Sequence, residues 1–374
     1  MTRRLYFAAL AAVVLVGPAI LAQDRPTPPA PKNPLLKLSE PWPDDAAMAT
    51  QKAAAEQRKL FQDGPAIEFT LTSDFGAINR ERKPNNGKQF PAVLTVDGRD
   101  IPVKLSSRGH LRLDPKTCEF VPIKIEFAAD QIAGTIFEGQ TSIKLGTHCQ
   151  NEKESDQYVM REYLTYKLSN LVTPSSFRAR LGRATYVDAK SKKTLSTHSA
   201  LFLEHERDVA WRMNGRDVAL QHREFKDFDL ETLTTSMLLE YMLGNTDYSI
   251  WALHNFVVIQ DKKRTFYPIP YDFDMSGMVQ PPYATPDPRL HLRDVTERLY
   301  RGPCRTVEQF NAAAEPFRAH RAEMLSVIDS LTELSNRHKN DMKGFLERFF
   351  KTIEGPEAIK KTFVDGCHTA RTRV

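Results

Sequence analysis

The sequence predicts an α+β fold in two lobes, sheet-rich toward the N-terminus and mainly helical toward the C-terminus. Three patterns predict it. Short alternating or β-branched runs recur between residues 66 and 145, the mark of half-buried strands. Two apolar stretches, 156–171 and 230–243, have the length and residue spacing of buried helices. The chain from Val307 to its end also reads as mostly helical. Roughly 350 residues are too many for one comfortable core, which leaves one large two-lobed unit or two close-packed domains.

Residues 1–22 read as a secretory leader. Arg3 and Arg4 precede the apolar run 5–16, and Gly17-Pro18 and the small Ala22 follow. That is the order of a charged region, an apolar region and a cleavage site. The run is shorter than the roughly 20 residues that cross a bilayer. Cleavage after Ala22 is therefore expected, with no membrane span elsewhere and a periplasmic or extracellular location. Loss of both arginines takes the net charge from +5 to +3. With 52 basic and 47 acidic residues, the surface is an ordinary mixed one, and nothing in it points to nucleic acid.

Residues 23–43 are proline-rich and predict an extended tether. An alanine-rich helix over 44–62 opens the first lobe, 44–205. Its strands are expected at 66–72, 90–96, 101–106, 122–127 and 141–145, forming a mainly antiparallel sheet. The helix 156–171 interrupts them, with Pro174 just past its end, and strands at 179–187 and 199–204 complete the lobe. The second lobe, 206–374, contains the helix 230–243, stopped by Gly244.

Cys118, Cys149, Cys304 and Cys367 include no CxxC pair. An even number in an oxidising compartment predicts two disulfides rather than a metal site. Of three possible connectivities, Cys118 with Cys149 and Cys304 with Cys367 is favoured, because each pair then lies within one lobe. His110, His148, His205 and His222 lack the spacing of a zinc site.

The chemistry concentrates between residues 244 and 274, read as helix end, polar loop, strand, tight turn, strand and acidic loop. If residues 261–263 turn an antiparallel hairpin, positions whose numbers sum to about 524 face each other. Asp247, His254 or Asn255, Asp272 and Asp274 then crowd one end of the hairpin. Strand alternation sends His254 and Asn255 to opposite faces, so the hairpin alone does not decide which reaches the site. Three carboxylates and an amide repel unless something positive sits among them, and hard oxygen ligands suit Mg²⁺ or Mn²⁺ together with a phosphate. Asp247, nearer the helix end, is placed to accept a proton from an attacking hydroxyl.

The run N-x-D, then H-N, a hairpin and P-x-P-Y-D-F-D resembles the catalytic and metal loops of atypical kinases related to the spore-coat CotH proteins, and more distantly HipA-type kinases. The resemblance covers roughly residues 100–280 and implies a two-lobed, kinase-like fold. It implies Asp247 as catalytic aspartate, Asn255 and Asp272 as metal ligands, and Asp274 as an auxiliary ligand. Upstream, Arg108-Gly109 resembles the family's arginine-glycine element. Lys124 stands where a lysine contacts nucleotide phosphates, and Glu162 is its implied partner. The strand ending at Glu204 resembles the hinge that lines the adenine. Two departures stand out: no glycine-rich loop, and a wider gap from Asp247 to Asn255 than in ordinary kinases.

The expected function is phosphoryl transfer from ATP or another nucleotide to a protein or small-molecule hydroxyl, with Mg²⁺ or Mn²⁺. An extracytoplasmic compartment holds little free ATP, so a kinase-like binding or assembly protein that transfers nothing stands as the alternative. A metal-dependent hydrolase is a third class that lacks the usual paired histidines.

Overall fold

The computed structural model describes residues 36–83, 87–365 and 367. The expected leader and the tether up to residue 35 lie outside the described residues. The chain begins with the short helix α1 (Leu36–Ser39) and α2 (Asp45–Glu56), whose first turn is capped by Asp44 accepting from the Ala47 amide. The described end of the tether is docked rather than extended. Arg216 donates to the carbonyls of Leu38 and Glu40 at 2.8 and 2.9 Å and lies over the Trp42 ring.

Seven strands then form a closed barrel, and two helices pack against it. In chain order these are β1 (Ile67–Ser73), α3 (Phe75–Arg80), β2 (Phe90–Val96), β3 (Arg99–Ser107), β4 (Ile123–Phe127), β5 (Ser142–Gly146), α4 (Glu154–Val172), β6 (Ala179–Asp188) and β7 (Thr194–Leu203). The order around the barrel is β1-β2-β3-β4-β5-β7-β6, closed by a parallel β1–β6 pair. The sheet is mainly antiparallel, as expected, but it closes on itself through that one parallel pair. Period-two patterns specify which face each strand buries but not which partner closes the edge. Gly182 permits the closure, because a Cβ there would meet the Phe69 and Phe202 rings at 2.8 Å. Those rings pack 4.9 Å apart inside.

The remainder is α5 (Glu206–Arg212), β8 (Gly215–Val218), α6 (Leu230–Leu243), β9 (Phe256–Asp261), β10 (Phe266–Pro270), α7 (Val307–Ala319), α8 (Arg321–Ser330), α9 (Asn336–Thr352) and α10 (Pro356–Ile359). Strands β10-β9-β8 make a small separate sheet. The barrel has its own apolar core. A second core joins Leu164 and Leu168 of α4 and Leu201 and Leu203 of β7 to Phe317, Phe345 and Phe349 of the C-terminal helices. A division near residue 205 therefore cuts through packed side chains. The fold is α+β, without a clean break between two lobes.

The hairpin β9–β10 pairs Phe256 with Pro270, so facing numbers sum to 526. The turn is longer than expected: the Asp261 amide donates to the Thr265 carbonyl, and Arg264 takes a positive φ of 66°. Both disulfides connect as expected, Cys118–Cys149 and Cys304–Cys367. Among the described residues no helix is long and apolar enough to cross a membrane.

Candidate functional site

A cleft of about 710 Å³ lies between the barrel rim and the loops that flank the β9–β10 hairpin. The barrel supplies Arg108 and Arg112 from the β3–β4 loop, Lys124 from β4, Lys144 from β5, and the segment Glu204 to Glu206 after β7. The facing wall supplies Asp247, His254, Asn255, Asp272 and Asp274.

The acidic wall follows from local backbone geometry. Gly244 ends α6 in the left-handed conformation, φ 65°, with Phe345 packed where a Cβ would stand. Asn245 then accepts the Asp247 amide on its side chain at 3.1 Å, an Asx turn. Ser249 and His254 exchange backbone hydrogen bonds and close a tight loop. Leu253 and Asn255 have positive φ, 51° and 56°. Strand alternation therefore does not begin until Phe256, and both candidates reach Asp247. His254 Nε2 lies 3.1 Å from Asp247 Oδ1. Asn255 donates its amide to the Asp247 carbonyl at 2.6 Å and to Oδ2 at 3.2 Å. The amide nitrogen is thus engaged, and only the amide oxygen of Asn255 is left to offer a ligand. The hydrogen bond that Asp247 accepts raises the His254 pKa.

Asp272 also has positive φ, 63°, and its amide donates to Tyr166 Oη at 2.9 Å. Its carboxylate lies 3.9 Å from Arg108 Nη1. Asp274 accepts from Tyr283 Oη at 3.0 Å. Burial, then the charge of Asp272, push the Asp274 carboxyl up to about 6. Glu162, buried on α4, is pushed well up by burial and by the charges of Asp274 and Asp272. Crowded carboxylates of this kind would favour a divalent cation, and two carboxylates with an amide oxygen are hard donors. Among the described residues no three or more His, Cys, Asp or Glu side chains form a complete metal cage. A cation here would need phosphate or water oxygens to finish its shell, as Mg²⁺ commonly does.

Two expected roles are corrected. Lys124 pairs with Glu126 at 2.8 Å, not with Glu162. Glu162 faces a smaller chamber behind the cleft rather than the cleft itself. The Glu204 carboxylate is fully buried and held by Arg178 and Arg212 at 2.7 and 2.8 Å.

Arg112, Lys144 and Tyr283 escape a reading of the sequence. Lys144 left a trace, since it sits on the strand directly before the long helix. Here it pairs with Glu206 and lies 4.3 Å from the centre of the Tyr271 ring. Arg112 and Tyr283 lie in loops whose path no periodicity reveals. Arg301 supports the Asp247 loop by donating to the carbonyls of Thr246 and Tyr248 at 2.6 and 3.0 Å.

No family model matches the chain, and no curated protein matches it. Among solved structures it is similar to the Helicobacter pylori proinflammatory kinase CtkA, at 12% identity over 80% of this chain and 99% of that one, with a TM-score of 0.36.

Proposed function

We propose that the cleft binds a nucleotide together with Mg²⁺ or Mn²⁺ and transfers its terminal phosphate to a hydroxyl of a protein or small molecule outside the cytoplasm. One observation carries this reading: Arg108, Lys124 and Lys144 line the barrel side of a single cleft whose other side holds Asp247, Asn255, Asp272 and Asp274. Opposed cationic and acidic walls suit a polyphosphate bridged by a cation.

In this reading the cationic wall grips and orients the phosphates. Asp247 orients the acceptor hydroxyl and takes its proton, with Asn255 and His254 fixing the carboxylate. Asp272 and Asp274, with the amide oxygen of Asn255, would hold the cation, which neutralises charge on the phosphates when bound. The backbone after β7 takes the nucleoside end of the cleft. Catalysis rests on positioning and charge neutralisation rather than covalent chemistry.

A binding protein that transfers nothing is favoured by one detail: both Asp247 oxygens already have partners, His254 and Asn255. Thermal midpoints with Mn²⁺ and ATP, for the natural protein and Asp272→Ala, test the site, because a ligand of the folded state raises the midpoint. Absence of a metal-dependent ATP shift overturns the reading. Given a shift, release of labelled terminal phosphate to any acceptor, lost in Asp247→Asn, separates transfer from binding.

A further inference from the structure

Arg112 and Asp274 line both the cleft and the chamber of about 100 Å³ behind it, where Glu162 and Tyr283 join them. The Arg112 guanidinium is 5.8 Å from the centre of the Tyr283 ring. Tyr283 Oη in turn donates to Asp274 at 3.0 Å, so the guanidinium reaches that carboxylate through the tyrosine. Arg112 Nη2 donates to the carbonyls of Thr147 and His148 at 2.6 and 3.0 Å, while Nε is buried with no hydrogen-bond partner among the described residues.

Those two carbonyls stand next to Cys149, on the segment between β5 and α4. The Cys118–Cys149 disulfide joins that segment to the β3–β4 loop on which Arg112 itself rides. The Glu119 and Phe120 amides donate to the Cys149 carbonyl at 2.9 and 3.1 Å, continuing the same seam. The loop over the cleft is thus covalently stapled at its far end, and the arginine spans from the staple to Tyr283.

Resting on the kinase-like reading, we propose that Arg112 is the positioning residue of the cation site, setting Asp274 in place through Tyr283, and that the Cys118–Cys149 staple sets Arg112. The lost interaction is with the tyrosine that holds a ligand-bearing carboxylate rather than with ligand, so affinity for the cation should respond more than affinity for nucleotide alone.

The experiment measures, by thermal shift and calorimetry, the Mn²⁺ concentration that half-saturates the protein at fixed ATP. It compares the natural protein with Arg112→Gln, Arg112→Lys, the pair Cys118→Ala with Cys149→Ala, and the pair Cys304→Ala with Cys367→Ala as a stability control. Removing an outer partner of metal ligands typically weakens metal affinity by ~10- to 100-fold. That loss is expected for Arg112→Gln and for the Cys118/Cys149 pair, with partial recovery in Arg112→Lys, which keeps the charge but not the planar fork. The control pair should lose stability yet keep the natural Mn²⁺ midpoint. Folded Arg112→Gln or Cys118/Cys149 variants that bind Mn²⁺ within about twofold of the natural protein overturn the proposal while leaving the nucleotide reading intact. No Mn²⁺·ATP binding by the natural protein overturns both.

Discussion

Lys124 and Lys144 are cross-strand partners on β4 and β5, yet each is held by a different acid, Glu126 and Glu206. Neither is committed to the buried Glu162. The two lysines are therefore separable. Lys144 is the more enclosed and stacks on Tyr271, so it should carry more of the phosphate contact. A hydrogen bond to a charged group contributes about 1.5–3 kcal/mol, roughly 10- to 100-fold in affinity. Lys144→Met should weaken binding of an ATP analogue by that factor and Lys124→Met by clearly less, measured by calorimetry. Equal effects would remove the distinction.

Asn255 combines a left-handed backbone with two side-chain hydrogen bonds to Asp247. Asn255→Gly keeps the backbone and loses the bonds, whereas Asn255→Ala loses both, and a left-handed alanine costs roughly 1–2 kcal/mol. Denaturant unfolding should rank the natural protein above the glycine variant and the glycine variant above alanine. Both variants should lose the metal-dependent shift, since both lack the amide.

Asp274 is crowded by Asp272, and its carboxyl is raised to about 6. A raised carboxyl destabilises the folded protein progressively as pH rises from the ordinary carboxylate value near 4 to about 6, and fully above it, because the charged form is the penalised one. Asp274→Asn should therefore stabilise the ligand-free protein at pH 8, by up to about 3 kcal/mol from a shift of that size, and abolish the Mn²⁺ response. A variant that loses the response and gains no stability would show that repulsion among these acids is small.

His148 is fully buried, stacked 3.8 Å from His198, and neither ring nitrogen has a hydrogen-bond partner among the described residues. Burial, then the neighbouring His198 and Arg112, lower its pKa to about 2. The unfolded chain takes up a proton near pH 6.5 that the folded chain refuses. Its contribution to stability is thus complete above 6.5 and lost as pH falls below it. At pH 5.5 the loss is about 1.4 kcal/mol. His148→Phe should flatten the fall in thermal midpoint between pH 7 and 5.5, and an unchanged slope would refute this.

Glu204 accepts from two arginines with its side chain fully buried. Breaking a buried pair from one side costs about 3–5 kcal/mol. Glu204→Ala should lower the melting midpoint strongly. If it folds, its ATP affinity should change little, since the carboxylate does not face the cleft.

Periodicity and turn chemistry, both local, are legible in the sequence. The strand at 90–96, the helix at 230–243 and its stop at Gly244 agree with the structure to the residue, because a strand's face and a helix's stripe are written in adjacent residues. The disulfide partners are also those expected. Asp247, Asn255, Asp272 and Asp274 could be grouped because one short hairpin separates them. What lies across the fold could not be read. Closure of the barrel depends on a parallel pair between strands more than a hundred residues apart. Lys124 turning to Glu126, Glu204 to two arginines and Arg112 to Tyr283 are choices among many side chains of equal chemistry. Such choices depend on distance and desolvation, which come into being only when the chain is packed.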